Sequence, residues 1–107
     1  MRALVIAAAL VLGSSVAVAD GPPPDGRALY REKCVMCHDK TGMGTGLLSR
    51  RMQVAELLLR SDLNADFIVS VARAGVGNMP AIPRGEVSDR DLKAIADFLA
   101  QPAEAKR

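Results

Sequence analysis

Aromatic side chains are almost missing from this sequence, which has no tryptophan, one tyrosine (Tyr30) and two phenylalanines (Phe67 and Phe98) in 107 residues. A small domain without aromatic bulk is short of core material, so some further staple is expected. Histidine is scarcer still. His38 is the single histidine, and Cys34 and Cys37 are the two cysteines. Zinc needs about four ligands, and this inventory falls short of them. No stretch alternates apolar and polar residues in the manner of a strand, and no internal repeat is present, which makes the fold class all-α. A surplus of one charge is absent too. Fourteen Lys and Arg face twelve Asp and Glu, interspersed along the chain, an arrangement that argues against nucleic acid as a partner.

Long apolar runs are confined to the N-terminus. Met1-Arg2 gives a short positive start, Ala3 to Leu12 is unbroken apolar sequence, and Ala17-Val18-Ala19 closes it at A-x-A spacing. That order is a secretory signal peptide over residues 1–19, with cleavage expected before Asp20. An uncleaved membrane anchor is the competing reading. It needs a span of roughly 20 apolar residues, and the run is shorter than that. The expected product is periplasmic, without stable membrane insertion after cleavage. Losing Arg2 lowers the formal charge of +2 by one.

Four regions follow from the rest. Residues 20–25 form a Pro-rich lead-in, in which Pro22-Pro23-Pro24 cannot enter a helix interior. A domain over residues 26–101 comes next, and residues 102–107 read as a charged tail. Asp25 is an expected N-cap for a helix running from about Gly26 toward Cys37. Asp39 to Gly46 carries three glycines in eight residues and is expected to be an irregular loop. Gln53 to Arg60 reads as a short helix. Ala65 to Ala74 reads as another, terminated by Gly75. Gly75 to Gly85 is a second irregular loop, broken by Pro80 and Pro83. Ser88 then caps a last helix in which Leu92, Ile95, Phe98 and Leu99 recur at helical spacing, with Val87 and Leu92 as a hydrophobic staple.

Both cysteines fall in Cys34-Val35-Met36-Cys37, and His38 follows at once. Cys-x-x-Cys-His is the covalent attachment pattern of haem c. Two thiols one turn apart can add to the two vinyl groups of one haem, and the next residue then presents an imidazole to the iron. Cys34 and Cys37 are the expected tethers of one haem c through two thioethers, and His38 is the expected proximal ligand. Three other readings compete. A thioredoxin-like pair wants a strand–turn–helix setting, zinc wants more ligands, and a plain disulfide leaves His38 without a role.

With one histidine, ligation by two imidazoles is excluded. Of the five methionines, Met1 leaves with the signal, Met36 lies within the tether, and Met43 is too near His38 to reach the opposite haem face. Met52 adjoins a leucine-rich segment and reads as packing. Met79, in the Gly- and Pro-stiffened second loop, is the expected sixth ligand, against the plainer reading of a gap-filling apolar side chain. Filling both axial positions favours electron transfer over catalysis. A rival of a different class, a haem enzyme or sensor with an open sixth site, fits the sequence less well.

Gly26-x-x-Leu29-Tyr30-x-x-x-Cys34, Cys-x-x-Cys-His, Met79-Pro80 and the closing Leu92-to-Leu99 helix resemble class I monohaem c-type cytochromes over essentially the whole mature chain. The resemblance implies a small cytochrome c-like fold, three to five helices around one haem, with Gly26 and Tyr30 meeting Ile95 and Phe98 where the first and last helices cross. It implies an electron carrier rather than an enzyme, with redox proteins as partners and the haem maturation machinery needed beforehand. Such cytochromes often carry a proline in the loop after the haem site, whose carbonyl orients the proximal imidazole. Gly44-Thr45-Gly46-Leu47-Leu48 has none, and a backbone carbonyl of the same loop is the expected acceptor instead. Gly75 to Leu99 is also similar to the small cytochrome subunits of flavin-dependent hydroxylating dehydrogenases of the p-cresol methylhydroxylase type. That likeness implies the alternative of a permanent subunit accepting electrons from a flavoprotein dehydrogenase. Gly77, Asn78, Ala81 and Ile82 are the expected rim of the docking surface.

Overall fold

Short polar side chains start three of the helices where the sequence places them. The computed structural model describes residues 21–107; the signal segment and Asp20 lie outside the described residues. Asp25 accepts from the backbone N–H groups of Arg27 and Ala28 and opens α1, Gly26–Lys33. Asn64 accepts from the Phe67 N–H and opens α4, Ala65–Ala74, while Ser88 accepts from the Asp91 N–H and opens α5, Asp89–Leu99. Each cap satisfies donors that a helix N-terminus otherwise leaves orphaned. Gly75 ends α4 at φ 74°, a value that glycine tolerates and a β-carbon does not.

The remaining helices are α2, Val35–His38, α3, Met43–Leu48, and α6, Ala103–Lys106, with a 3₁₀ turn at Leu57–Leu59. The described residues are therefore all-α, with one isolated bridge between Val76 and Met79 in place of any strand. Six short helices stand where three to five were expected, and the difference has local causes. The first helix is broken at Cys34, whose carbonyl accepts from both Cys37 and His38 N–H groups in a tightened turn. The glycine-rich segment holds α3 rather than an irregular loop. A β-carbon at Gly42 would come 2.3 Å from the Cys37 carbonyl oxygen. Close packing on α2 thus imposes a helix that Gly44 and Gly46 disfavour on their own.

The expected helix over Gln53 to Arg60 shrinks to the 3₁₀ turn, in which the Leu57 carbonyl accepts from the Arg60 N–H and the carbonyls of Leu57 and Arg60 both accept from the Lys106 ammonium. Lys106 donates a third bond to the Leu99 carbonyl at 2.9 Å and is 2% exposed. The charged tail is accordingly a packed element, α6, with its first amide held by the Ser61 hydroxyl at 2.9 Å.

The core lies between α1, α4 and α5 and consists of Tyr30, Ala72, Val87, Leu92, Ile95, Phe98 and Leu99. The crossing of α1 on α5 is as close as the resemblance implied. A β-carbon at Gly26 would fall 2.1 Å from the Ala94 carbonyl oxygen and 2.9 Å from Phe98 Cβ, and the Tyr30 and Phe98 rings lie 5.9 Å apart. Val87 and Leu92 are both buried, as a hydrophobic staple requires. Among the described residues no helix is long and apolar enough to cross a membrane.

Candidate functional site

The Cys-x-x-Cys-His segment is wound mostly into α2, and its hydrogen bonds are almost all local. The His38 N–H donates to the Cys34 carbonyl at 3.0 Å, and the Tyr30 hydroxyl donates to the His38 carbonyl at 3.2 Å. Tyr30 is 1% exposed, so this bond carries the position of His38 back into the core. Burial, then the charges of Cys34, Glu56 and Asp39, push the Tyr30 phenol upward, and it stays a donor at any physiological pH.

Cys34 is half-buried, Cys37 is exposed, and neither is in a disulfide. Burial and then the neighbouring Cys37 push the Cys34 thiol up to about 11. A thiol nucleophile is favoured by the opposite shift, toward the thiolate, so burial leaves Cys34 unactivated. No group of three or more His, Cys, Asp or Glu gathers among the described residues to hold a metal ion.

The His38 ring is partly buried, and burial lowers its pKa, leaving a neutral imidazole suited to ligate iron. Its Nδ1 is buried with no hydrogen-bond partner. The expected carbonyl acceptor from the following loop is therefore not found, and α3 supplies the reason. The Gly42 and Thr45 carbonyls are spent inside the helix, on the Gly46 and Ser49 N–H groups. The Thr45 hydroxyl, on the same helix and buried, also lacks a partner. Gly44 packs against the imidazole, where a β-carbon would stand 3.4 Å from His38 Cε1.

Met79, far from Cys34 in sequence, packs against the same apolar cluster. Val76 and Met79 exchange backbone hydrogen bonds of 3.0 and 2.9 Å across a turn at Gly77, φ 53°. The partly buried Met79 packs against the apolar core, as do Cys34 and Val35. The other methionines are placed less suitably. Met36 is 89% and Met43 63% exposed, and the Met52 sulfur accepts from the Arg60 guanidinium at 3.5 Å. Of the expected rim, Gly77, Asn78 and Ala81 are exposed and Ile82 is half-buried. Val76, 60% exposed, adds apolar surface beside them. A separate groove of about 640 Å³ between the lead-in and α5, beside Arg27 and Arg90, contains none of these groups.

The residues present fit a covalently held haem on three counts. They offer two unpaired thiols one turn apart, a neutral half-buried imidazole with an orphan nitrogen, and a methionine on the same apolar cluster as Cys34. Sequence reasoning missed the α3 packing, the Thr45 hydroxyl and the buried Lys106. The glycine spacing Gly42-x-Gly44 was the available signal for the first.

Comparison with known proteins bears on the same residues. The family model described as cytochrome c oxidase, cbb3-type, subunit III matches residues 21–99. The cytochrome c subunit of 4-cresol dehydrogenase [hydroxylating] from Pseudomonas putida is 31% identical over 98 residues, covering 90% of this chain and 77% of that one. No solved structure matches.

Proposed function

On the premise that the chain belongs to the cytochrome c oxidase cbb3-type subunit III family of c-type cytochromes, we propose that it is an exported, periplasmic monohaem electron carrier with His38 and Met79 as axial ligands. Members of this family are electron carriers or subunits rather than enzymes, and haem c is their cofactor. The observation that carries the finer reading is that Cys34 and Met79, far apart in sequence, pack on one apolar cluster.

Haem c, when bound, supplies a one-electron ferric–ferrous couple. The chain's own residues do the rest. Cys34 and Cys37 would hold it through thioethers, which do not dissociate. Tyr30 fixes the His38 backbone, and burial keeps the imidazole neutral. Met79 would offer the iron a soft, neutral sulfur, which would favour the reduced state relative to a second nitrogen ligand. The turn at Gly77 and the exposed Val76 and Ala81 leave an apolar edge where a partner docks briefly over a small area.

The relative in Pseudomonas putida is a cytochrome subunit of a dehydrogenase, which favours a second reading. In it this chain is the permanent electron-accepting subunit of a flavin-dependent dehydrogenase. Co-purification with a large flavoprotein separates the two.

A haem stain on a denaturing gel of protein matured with the haem attachment machinery, followed by a pyridine haemochrome spectrum, tests attachment; an unstained band overturns it. Met79→Ala is expected to lower the reduction potential and abolish the Met–iron charge-transfer band of the ferric protein. An unchanged spectrum would remove Met79 from the ligand set.

A further inference from the structure

The loop that carries Met79 has little to hold it from within. Between its departure from α4 at Gly75 and its arrival at Ser88, the internal backbone bonds are the Val76–Met79 pair and the donations from Glu86 and Val87 to the Pro83 carbonyl. Pro80 and Pro83 have no N–H to give. What spans the base of the loop is one side chain. Arg73, in the last turn of α4, donates from Nη1 to the Ile82 carbonyl at 3.0 Å and from Nη2 to the Val87 carbonyl at 2.9 Å. The same Nη2 reaches the Asp89 carboxylate in the first turn of α5 at 2.8 Å, and Arg84 holds the other carboxylate oxygen at 2.9 Å. The Arg73 side chain is 16% exposed, so its bonds to the Ile82 and Val87 carbonyls are partly shielded from water, whereas the Asp89 carboxylate stays exposed. One backbone bond joins the strap, from the Ile82 N–H to the Ala72 carbonyl at 2.8 Å.

We propose that Arg73 is a positioning residue for the sixth ligand, its guanidinium acting as a strap that holds the Met79 loop closed and so sets how readily a competing ligand displaces the sulfur. The proposal rests on the reading of Met79 as a ligand. Its logic is one of populations. A competitor enters only in the fraction of molecules whose loop has lifted, so its apparent affinity scales with that fraction. Lifting the loop leaves two carbonyls and a shielded guanidinium without their partners, and charge-assisted bonds of this kind are the costly ones to break. Lysine is a poor substitute, because a single ammonium lacks the planar fork that reaches Ile82, Val87 and Asp89 together.

The test is an imidazole titration of the ferric holoprotein at neutral pH, followed through the Met–iron charge-transfer band, with far-UV unfolding curves recorded in parallel. Arg73→Met is expected to raise the apparent imidazole affinity about tenfold. Arg73→Lys should fall between it and the parent. Arg27→Met serves as the control, since Arg27 also donates to two backbone carbonyls, those of Ala105 and Arg107, away from the loop. It should lower the unfolding midpoint and leave imidazole affinity unchanged. If Arg73→Met does not fold, Arg73→Lys and Asp89→Asn carry the test, each with an expected rise of about threefold. Equal imidazole affinity in parent and Arg73 variants overturns the strap, as does a shift that merely tracks lost global stability in every variant. A parent protein without the Met–iron band instead overturns the ligand assignment. In that second case amide exchange at Ile82 tests the strap without reference to the iron: faster exchange in Arg73→Met supports it and unchanged exchange overturns it.

Discussion

The two sides of the candidate site are held in opposite ways. Around His38 nearly everything is local, from the Cys34 carbonyl that takes two N–H groups to the Tyr30 hydroxyl eight residues away and the glycines of α3 laid on Cys37. Around Met79 the chain is a loop with two prolines, fastened at its base by Arg73 and by the Ala72 carbonyl. Hydrogen-bonded helical turns survive partial opening, whereas a loop fastened mainly at its base opens as one unit. The difference teaches that the proximal side is built to persist and the Met79 side to yield first.

Glycine substitutions break the comparison most sharply. Gly42→Ala puts a β-carbon against the Cys37 and His38 backbone, where neither neighbour can give way. It is expected to cost about 3 kcal/mol and to reduce the yield of covalent haem, measured by haem stain per unit of protein. Gly75→Ala meets the Met79 and Ala81 backbone from a φ of 74°. It should cost about 2 kcal/mol, leave haem attachment intact, and weaken the Met–iron band. Equal loss of attachment in both variants would dissolve the distinction between the two sides.

Lys106→Met probes a third place that belongs to neither side. It loses three bonds to carbonyls but is relieved of burying an ammonium, for a net destabilisation of about 1 kcal/mol in thermal unfolding, with the ferric spectrum unchanged. The smallest effect is expected from acid. Arg84 first and Arg73 second hold the Asp89 carboxyl below its ordinary range. Its contribution is complete above the ordinary carboxylate pKa and disappears as pH falls through the depressed value. Thermal unfolding of parent and Asp89→Asn should therefore converge as pH falls below the ordinary carboxylate range.

The motif at Cys34 to His38 was legible because its chemistry is contiguous, and Asp25, Asn64 and Ser88 were legible because a cap acts within three residues. The α1–α5 crossing was legible through Gly26, where only a missing side chain fits. What escaped depends on distant partners. Nothing in Met43-Gly44-Thr45-Gly46 favours a helix until α2 lies beneath it. Lys106 looks like any tail lysine until the carbonyls of Leu57, Arg60 and Leu99 converge on it. Arg73 lies in a readable helix, yet its bonds go to a loop whose path the prolines conceal. The Nδ1 of His38, expected to find a carbonyl, found none because an unforeseen helix had used them.

The crossing of α1 on α5 also imposes an order of events in time. The first helix of the domain packs on its longest and nearly last one, through Gly26, Tyr30, Ala94 and Phe98. A chain emerging from its N-terminus cannot close that contact until α5 has followed, and about fifty residues separate Cys37 from α5. Throughout that interval both thiols stand in open chain, reachable by a modifying enzyme before any core exists to shield Cys34. The topology thus builds its own delay, and chemistry on the cysteines has its opportunity inside it.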